Sequence, residues 1–566
     1  MPHAWSYNGR VKRWSVPLIL TLVLCASCGG RKEPHAATSI PLDENTPQEG
    51  GTLVRRLEGD VVTVNPVVEK SKYDREVDIN LFTPLLQLDV NLRPSPGLAE
   101  KWEISPDGKL YTFHLAPKAT FSDGTPVLAS DVLFTLKKII DPEMEAAQVA
   151  PGFQLVDLAN TKVIDPHTIV IAFKEPDASQ IIHFNDLLAI PEHVYSKGDF
   201  KNDYNMTAVG SGPYKLVRRV PGKEILVERR EDYWGTKPYL KNILFKVIND
   251  SQTAWNALKH GDIDETMISS DVWQRESKNP SLQRMIEFRR FYTLNYNYIA
   301  WNAHDPLFAD KRVRRALGMC VDLSSIINNL YHGTARALSG PFTPDEWAFN
   351  PNVPVLPYDP LQAKRLLNDA GWFDTNNDGV LDKGGKPMKF DIFIFSGSVA
   401  GLPFAQLFQE ELKKIGVEMN VVQLDPALMI QRVIAGNYQS AYMGWDLDPD
   451  PDPFPQFHSS QIPPKGQNFV YYQNPAADKL IEEGRRELDF AKRVKIFQDL
   501  HAMLAADQPY TWAIQVSVKW AINKRVKNVK ESRGWGFYTW YPGENDWWIP
   551  RDQRTHEVAA AATMTH

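Results

Sequence analysis

Apolar residues recur along the chain with two periods, and the periods alternate. Val132, Leu136, Ile139 and Ile140 fall at i, i+4, i+7 and i+8, which is one face of a helix. Asp359-Pro360 is a cap with proline in the first turn. Ala363, Leu366, Leu367 and Ala370 form that helix's face, and Gly371 closes it. TLVRRL (Thr52–Leu57) reads as a strand. KLYTFHL carries Leu110, Phe113 and Leu115 after a turn signal at Pro106-Asp107-Gly108, which predicts a hairpin. Phe390–Phe395, a helix over Pro403–Ile415, and Val417–Leu424 predict a βαβ unit with parallel strands and a right-handed crossover. The class is therefore α/β with at least one parallel sheet. No internal repeat interrupts it, and residues 551–566 read as a loose tail.

The N-terminus breaks the pattern. Lys12 and Arg13 precede VPLILTLVLCAS, an apolar run that ends in small residues before Cys28. A positive segment, a short apolar core and a small-residue cleavage site form a secretory signal. An uncleaved anchor helix is the plain alternative, but the run is short of the roughly 20 apolar residues that a membrane span needs. Ala26-Ser27-Cys28 resembles the lipobox of bacterial lipoproteins, with Cys25 where leucine is usual. Residues 1–28 are thus expected to be a lipoprotein signal, with lipid on Cys28 and a flexible tether over 29–50. Cys320 would then be the one free thiol of the mature chain, with no disulfide within it.

Composition narrows the class. The chain has 566 residues, 43% apolar and 23% charged, enough for two to four domains or one bilobal body. A net charge of −6 offers no basic excess for neutralising phosphates, so nucleic acid is not an expected partner.

The acidic stretch GWDLDPDPDPFPQFHSS (Gly444–Ser460) is the densest candidate chemistry. Proline holds the residue before it extended, so Asp448, Asp450 and Asp452 sit on a stiff chain. Extended side chains two apart stand about 7 Å apart and parallel, so these carboxylates do not converge on a metal by themselves. His458 follows in no ligand spacing. Asp450 and Asp452 read as a solvated acidic turn. A second candidate is DTNNDGVLD. Asp374, Asn376, Asp378, Gly379 and Asp382 match positions 1, 3, 5, 6 and 9 of a calcium loop, but position 12 is Gly385. The GSGP turn (Gly210–Pro213) lacks the strand-before, helix-after setting of a phosphate loop. There is no G-x-S-x-G, H-E-x-x-H or C-x-x-C. Neither an enzyme nor a cofactor is expected.

Six segments, in order, carry a resemblance. They are GTLVRRLEGDVVTVNP, LAEKWEISPDGKLYTFHLAPKATFSDGTPVLASDVLFTL, GSGPYKLVRRVPGKEILVERREDYWGTKPYLKNILFKVI, LNYNYIAWNAHDPLFADKRVRRALGMCVDLSSII, YDPLQAKRLLNDAGW and the W-x-x-D at Trp445–Asp448. Together they resemble the extracytoplasmic solute-binding proteins of peptide ABC transporters, the oligopeptide- and dipeptide-binding family, also called family 5. The resemblance implies a bilobal periplasmic-binding-protein type II fold with a ligand cleft between the lobes. Lobe one would take 51–66, 191–295 and 516–550, a subdomain would be inserted over 67–190, and lobe two would span 296–515. The connecting strands would lie near Tyr292–Trp301 and Tyr510–Trp520.

The same resemblance implies that W-x-x-D presents an aspartate to a peptide's α-ammonium group. The matching residues are Trp445 and Asp448, with Asp446 also in reach. Tyr296 and Asn297, near the first connecting strand, are nominated as cleft residues or hinge packing. The implied role is that of a monomeric, lipid-anchored extracytoplasmic binder that delivers a peptide to an ABC permease. The DPDPDP extension departs from the peptide-binding pattern and keeps non-peptide solutes (a sugar, an opine, a metal complex) in view. A ligand-presenting sensor and a secreted hydrolase are the remaining alternatives.

Overall fold

Thr52–Leu57 is buried at all six positions, although it contains Arg55 and Arg56. A strand this enclosed belongs in the interior of a sheet. The computed structural model, which describes residues 46–530, 540 and 543–556, puts it at the centre of seven strands. Their order is Ile286–Phe291, Val518–Asn523, Glu265–Met267, Thr52–Leu57, Asn242–Val247, Glu224–Arg229 and Tyr214–Val220. Thr52–Leu57 runs parallel to both neighbours, and the outer pairs are antiparallel. The signal, Cys28, the tether as far as residue 45 and the tail from residue 557 lie outside the described residues.

The second sheet has six strands, in the order Ala335–Ala337, Tyr510–Val516, Asn295–Trp301, Ser440–Asp446, Lys389–Phe395 and Glu418–Leu424. The expected βαβ unit is its far edge. Lys389–Phe395 and Glu418–Leu424 pair in parallel, joined by the helix Gly401–Lys414. Alternation then separates two cores. Along the central strand Tyr296, Tyr298 and Ala300 pack to one side, while Ile299 and Trp301 pack to the other. This double coverage needs near-continuous apolar strands, which NYNYIAW and FDIFIF supply.

A four-stranded antiparallel sheet, Ala99–Ile104, Leu110–Leu115, Thr168–Ala172 and Lys162–Asp165, stands apart from both. Its hairpin turns at Gly108, whose φ is +69°. The inward face is Tyr111, Phe113 and Leu115, and Leu110 is 42% exposed. This corrects the expected face: counting back by twos from Phe113 puts Tyr111 inside and Leu110 outside. The helix Ala129–Ile140 buries Val132, Leu136 and Ile139, and that of Pro360–Asp369 is capped by Asp359 as its sequence predicts. The GSGP turn is a packing device. A Cβ on Gly212 would stand 2.6 Å from the carbonyl oxygen of Asn80.

Two segments pass between the main sheets. Ile286–Phe291 leaves the first and enters the second as Asn295–Trp301. Tyr510–Val516 returns to the first as Val518–Asn523, turning at Ser517. The second connection runs alongside the first, with Gln515 Nε2 donating to Thr293 O (2.7 Å), and the first passes the end of Ser440–Asp446, where Leu447 N–H donates to Leu294 O (2.8 Å). The acidic stretch begins there.

Candidate functional site

The backbone ladder that ends at Asp446 hands over to a proline-stiffened loop, and that loop forms one wall of two adjoining chambers. The smaller, about 50 Å³, is lined by Tyr296, Phe342, Glu346, Asp446, Asp448 and Phe457 among others. The larger, about 250 Å³, has Asp446 on one side. Arg56, Lys72, Glu76, Trp520, Trp540 and Glu544 of the first lobe stand opposite. Asp446 belongs to both, so the chambers meet at its carboxylate.

Asp446 and Asp448 are reached by solvent from the cleft, yet protein walls surround them. Loss of bulk water pushes both carboxyls above their ordinary value. Lys72 pulls Asp446 back. The His183 ring pulls Asp448 back, and Asp186 adds to the upward push. His183 and Asp186 come from the segment carrying the four-stranded sheet, so Asp448 faces across the cleft.

The outer aspartates are not a solvated turn, contrary to the expectation from sequence. Asp450 pairs with Arg493 (2.8 Å), whose guanidinium lies 5.0 Å from the Trp347 ring. Asp452 pairs with Arg485 (3.4 Å), which stacks on Phe454 and also reaches Asp177 (2.7 Å) in the inserted segment. Both arginines come from distant helices, Pro475–Arg486 and Phe490–Asp507, so no local pattern announces them. With an arginine on each, these carboxylates are not free to hold a metal.

Of the nominated residues, Tyr296, Asp446 and Asp448 are brought together in the smaller chamber. Trp445 and Asn297 point elsewhere. Trp445 stacks between Tyr298 (6.3 Å) and Phe469 (5.9 Å), and its indole N–H donates to Tyr510 Oη (3.3 Å). Asn297 stands opposite Gly444, where a Cβ would come within 2.9 Å of its amide nitrogen. These two brace the strand that carries the aspartates.

The DTNNDGVLD segment closes on itself. Asp382 accepts from the Thr375 N–H (2.9 Å) and hydroxyl (2.7 Å), Asp374 from Gly379 N–H (3.1 Å), and Asp378 from Asn376 (2.8 Å). Among the described residues no three His, Cys, Asp or Glu side chains are grouped as a metal would need.

Glu346 was not found from sequence. It is 8% exposed, lines the smaller chamber and accepts the Thr343 backbone N–H. The T-x-x-E spacing in FTPDEW signals only a local turn. Trp540 and Glu76 were missed because they reach the cleft from opposite ends of the first lobe's sequence. The indole N–H groups of Trp520 and Trp540 have no acceptor among the described residues.

Two lobes joined by two strands, closing on an aromatic and acidic cavity, define a protein that encloses a small solute. The family model described as bacterial extracellular solute-binding proteins, family 5, matches residues 93–465, and the chain belongs to that family. It is a binding protein and not an enzyme. It is 29% identical to the oligopeptide-binding protein AppA of Bacillus subtilis, over 91% of this chain and 95% of that one. The solved structure of AppA with a nonapeptide superposes with a TM-score of 0.74 at 27% identity, covering 89% of this chain and all of the other. NikZ of Campylobacter jejuni, solved with Ni(L-His), gives a TM-score of 0.74 at 26% identity, over 88% and 99%.

Proposed function

We propose that the protein captures a peptide through its α-ammonium group and delivers it to an ABC permease by closing its lobes around it. The observation that carries this reading is Asp448, a carboxylate on the cavity wall, open to the cleft, that no lysine or arginine pairs with among the described residues. An ammonium in such a site needs a charged partner, and a carboxylate offers short, charge-assisted hydrogen bonds. The name of AppA supports a peptide as cargo. Residues 296–515 would move against the rest about the two connections. Lipid on Cys28, at the end of the lipobox-like Ala26-Ser27-Cys28, would hold the mature monomer at a membrane surface.

Two measurements test this. Native mass spectrometry of the mature protein, purified without denaturation, should show bound peptide masses. Asp448→Asn should weaken binding of a tripeptide with a free amine by about 2–5 kcal/mol in calorimetry if the closed lobes bury the pair. An unchanged affinity would retire the role given to Asp448.

A further inference from the structure

The smaller chamber carries more carboxyl groups than one ammonium answers. Asp448, Asp446 and Glu346 all line it. Their surroundings supply little positive charge. Lys72 acts on Asp446 but also pairs with Glu58 (3.3 Å), and the His183 ring acts on Asp448. Glu346 is the most enclosed of the three at 8% exposed. The charged groups facing it are Asp345 on its own turn and Asp448 across the cavity, both negative. The others nearby already have partners: Asp345 pairs with Arg336, Asp452 with Arg485, and Asp186, which faces Asp448, lies 3.9 Å from Arg75. Glu346 accepts the Thr343 N–H and lines the cavity without a cationic partner among the described residues, so its ionised form is costly unless something positive arrives. The remaining walls, Tyr296, Phe342 and Phe457, present aromatic rings of the kind that accept cations.

We propose that this chamber selects ligands carrying two cationic centres at one end, with Glu346 supplying the second carboxylate beside Asp448. The inference rests on Asp448 as the ammonium partner and adds the class of the residue next to that ammonium. An N-terminal lysine, ornithine or arginine has this chemistry, and so does a short diamine. The larger chamber, opening at Asp446, gives such a side chain room.

Proton linkage gives the site a signature. Burial pushes Glu346 up to about 8, so the empty site holds a proton. A second cation favours the ionised form and expels that proton. Affinity for a doubly charged ligand therefore rises with pH below that value.

The test is calorimetry with Lys-Ala-Ala and norleucine-Ala-Ala, at about pH 5.5 and about pH 7.5. The wild-type protein should prefer the lysine peptide by roughly tenfold or more at the higher pH, and by less at the lower. Glu346→Gln should lose most of the preference, as the ratio of the two affinities, together with its pH dependence. Asp446→Asn, at the solvent-reached junction, should reduce the preference without depending on a buried substitution. Equal affinities for the two peptides in the wild type, or an undiminished preference in both variants, would overturn the inference and leave the peptide reading standing. Failure of both peptides to bind the wild type would overturn the two together.

Discussion

Glu346 shows how one side chain ties stability to occupancy. Its carboxyl is neutral in the empty fold up to about 8, against 4.5 for a free glutamate. Between those values the folded chain holds a proton that the unfolded chain has released. Stability from this group is therefore fully present below about 4.5 and is lost as pH rises through about 8. Glu346→Gln removes the dependence. Its Tm by scanning calorimetry should match the wild type near pH 4.5 and exceed it near pH 8.5. A wild-type curve no steeper than the variant's across that range would contradict the assignment. Little of this was legible in the sequence. Glu346 sits in a loop without periodicity, and its value comes from burial, with Asp345 and the sequence-distant Asp448 adding to the upward push. The place of Asp448 on a stiff loop at the cavity wall was legible because proline and tryptophan mark its position on the chain.

At the scale of elements the sequence was a better guide. Strands buried on both faces, such as Phe390–Phe395, need continuous apolar residues, and helices such as Pro360–Asp369 carry their own caps. What stayed hidden were pairings between elements. The DPDPDP loop reads as solvated because Arg485 and Arg493 are remote in sequence, and no periodicity links a loop to a helix face. Helix packing also sets the behaviour of the sole cysteine among the described residues. Cys320 follows the helix Lys311–Gly318, is fully buried, and its thiol is pushed up to about 12 by burial. A thiolate is the reactive form, so labelling needs the helix to open. Native protein should resist a thiol reagent at pH 8 for as long as it stays folded, and should label fully in denaturant. Rapid labelling without denaturant would mean that this helix opens locally.

For the whole molecule, the contact that matters is the one between the second lobe and the inserted four-stranded sheet. Arg485 bridges Asp452 and Asp177, and Ala178 N–H donates to the Arg485 carbonyl (2.8 Å). The loop that carries Asp448 is thus tied to both bodies. Arg485→Ala should lower the unfolding free energy in urea by about 2 kcal/mol, less than for a fully enclosed pair because Arg485 keeps 20% of its side chain exposed. It should also speed release of a bound tripeptide in stopped-flow. Unchanged release would mean that closure does not depend on this contact.

The return of the chain through Ser517 has a consequence for biogenesis. Val518–Asn523 lies between Ile286–Phe291 and Glu265–Met267, so the first sheet lacks an interior strand until nearly the end of synthesis. The second sheet has all its strands one connection earlier. The lobe made first is therefore completed last. A polypeptide threaded outward N-terminus first keeps that lobe open until Val518–Asn523, the last strand among the described residues, emerges and seals it.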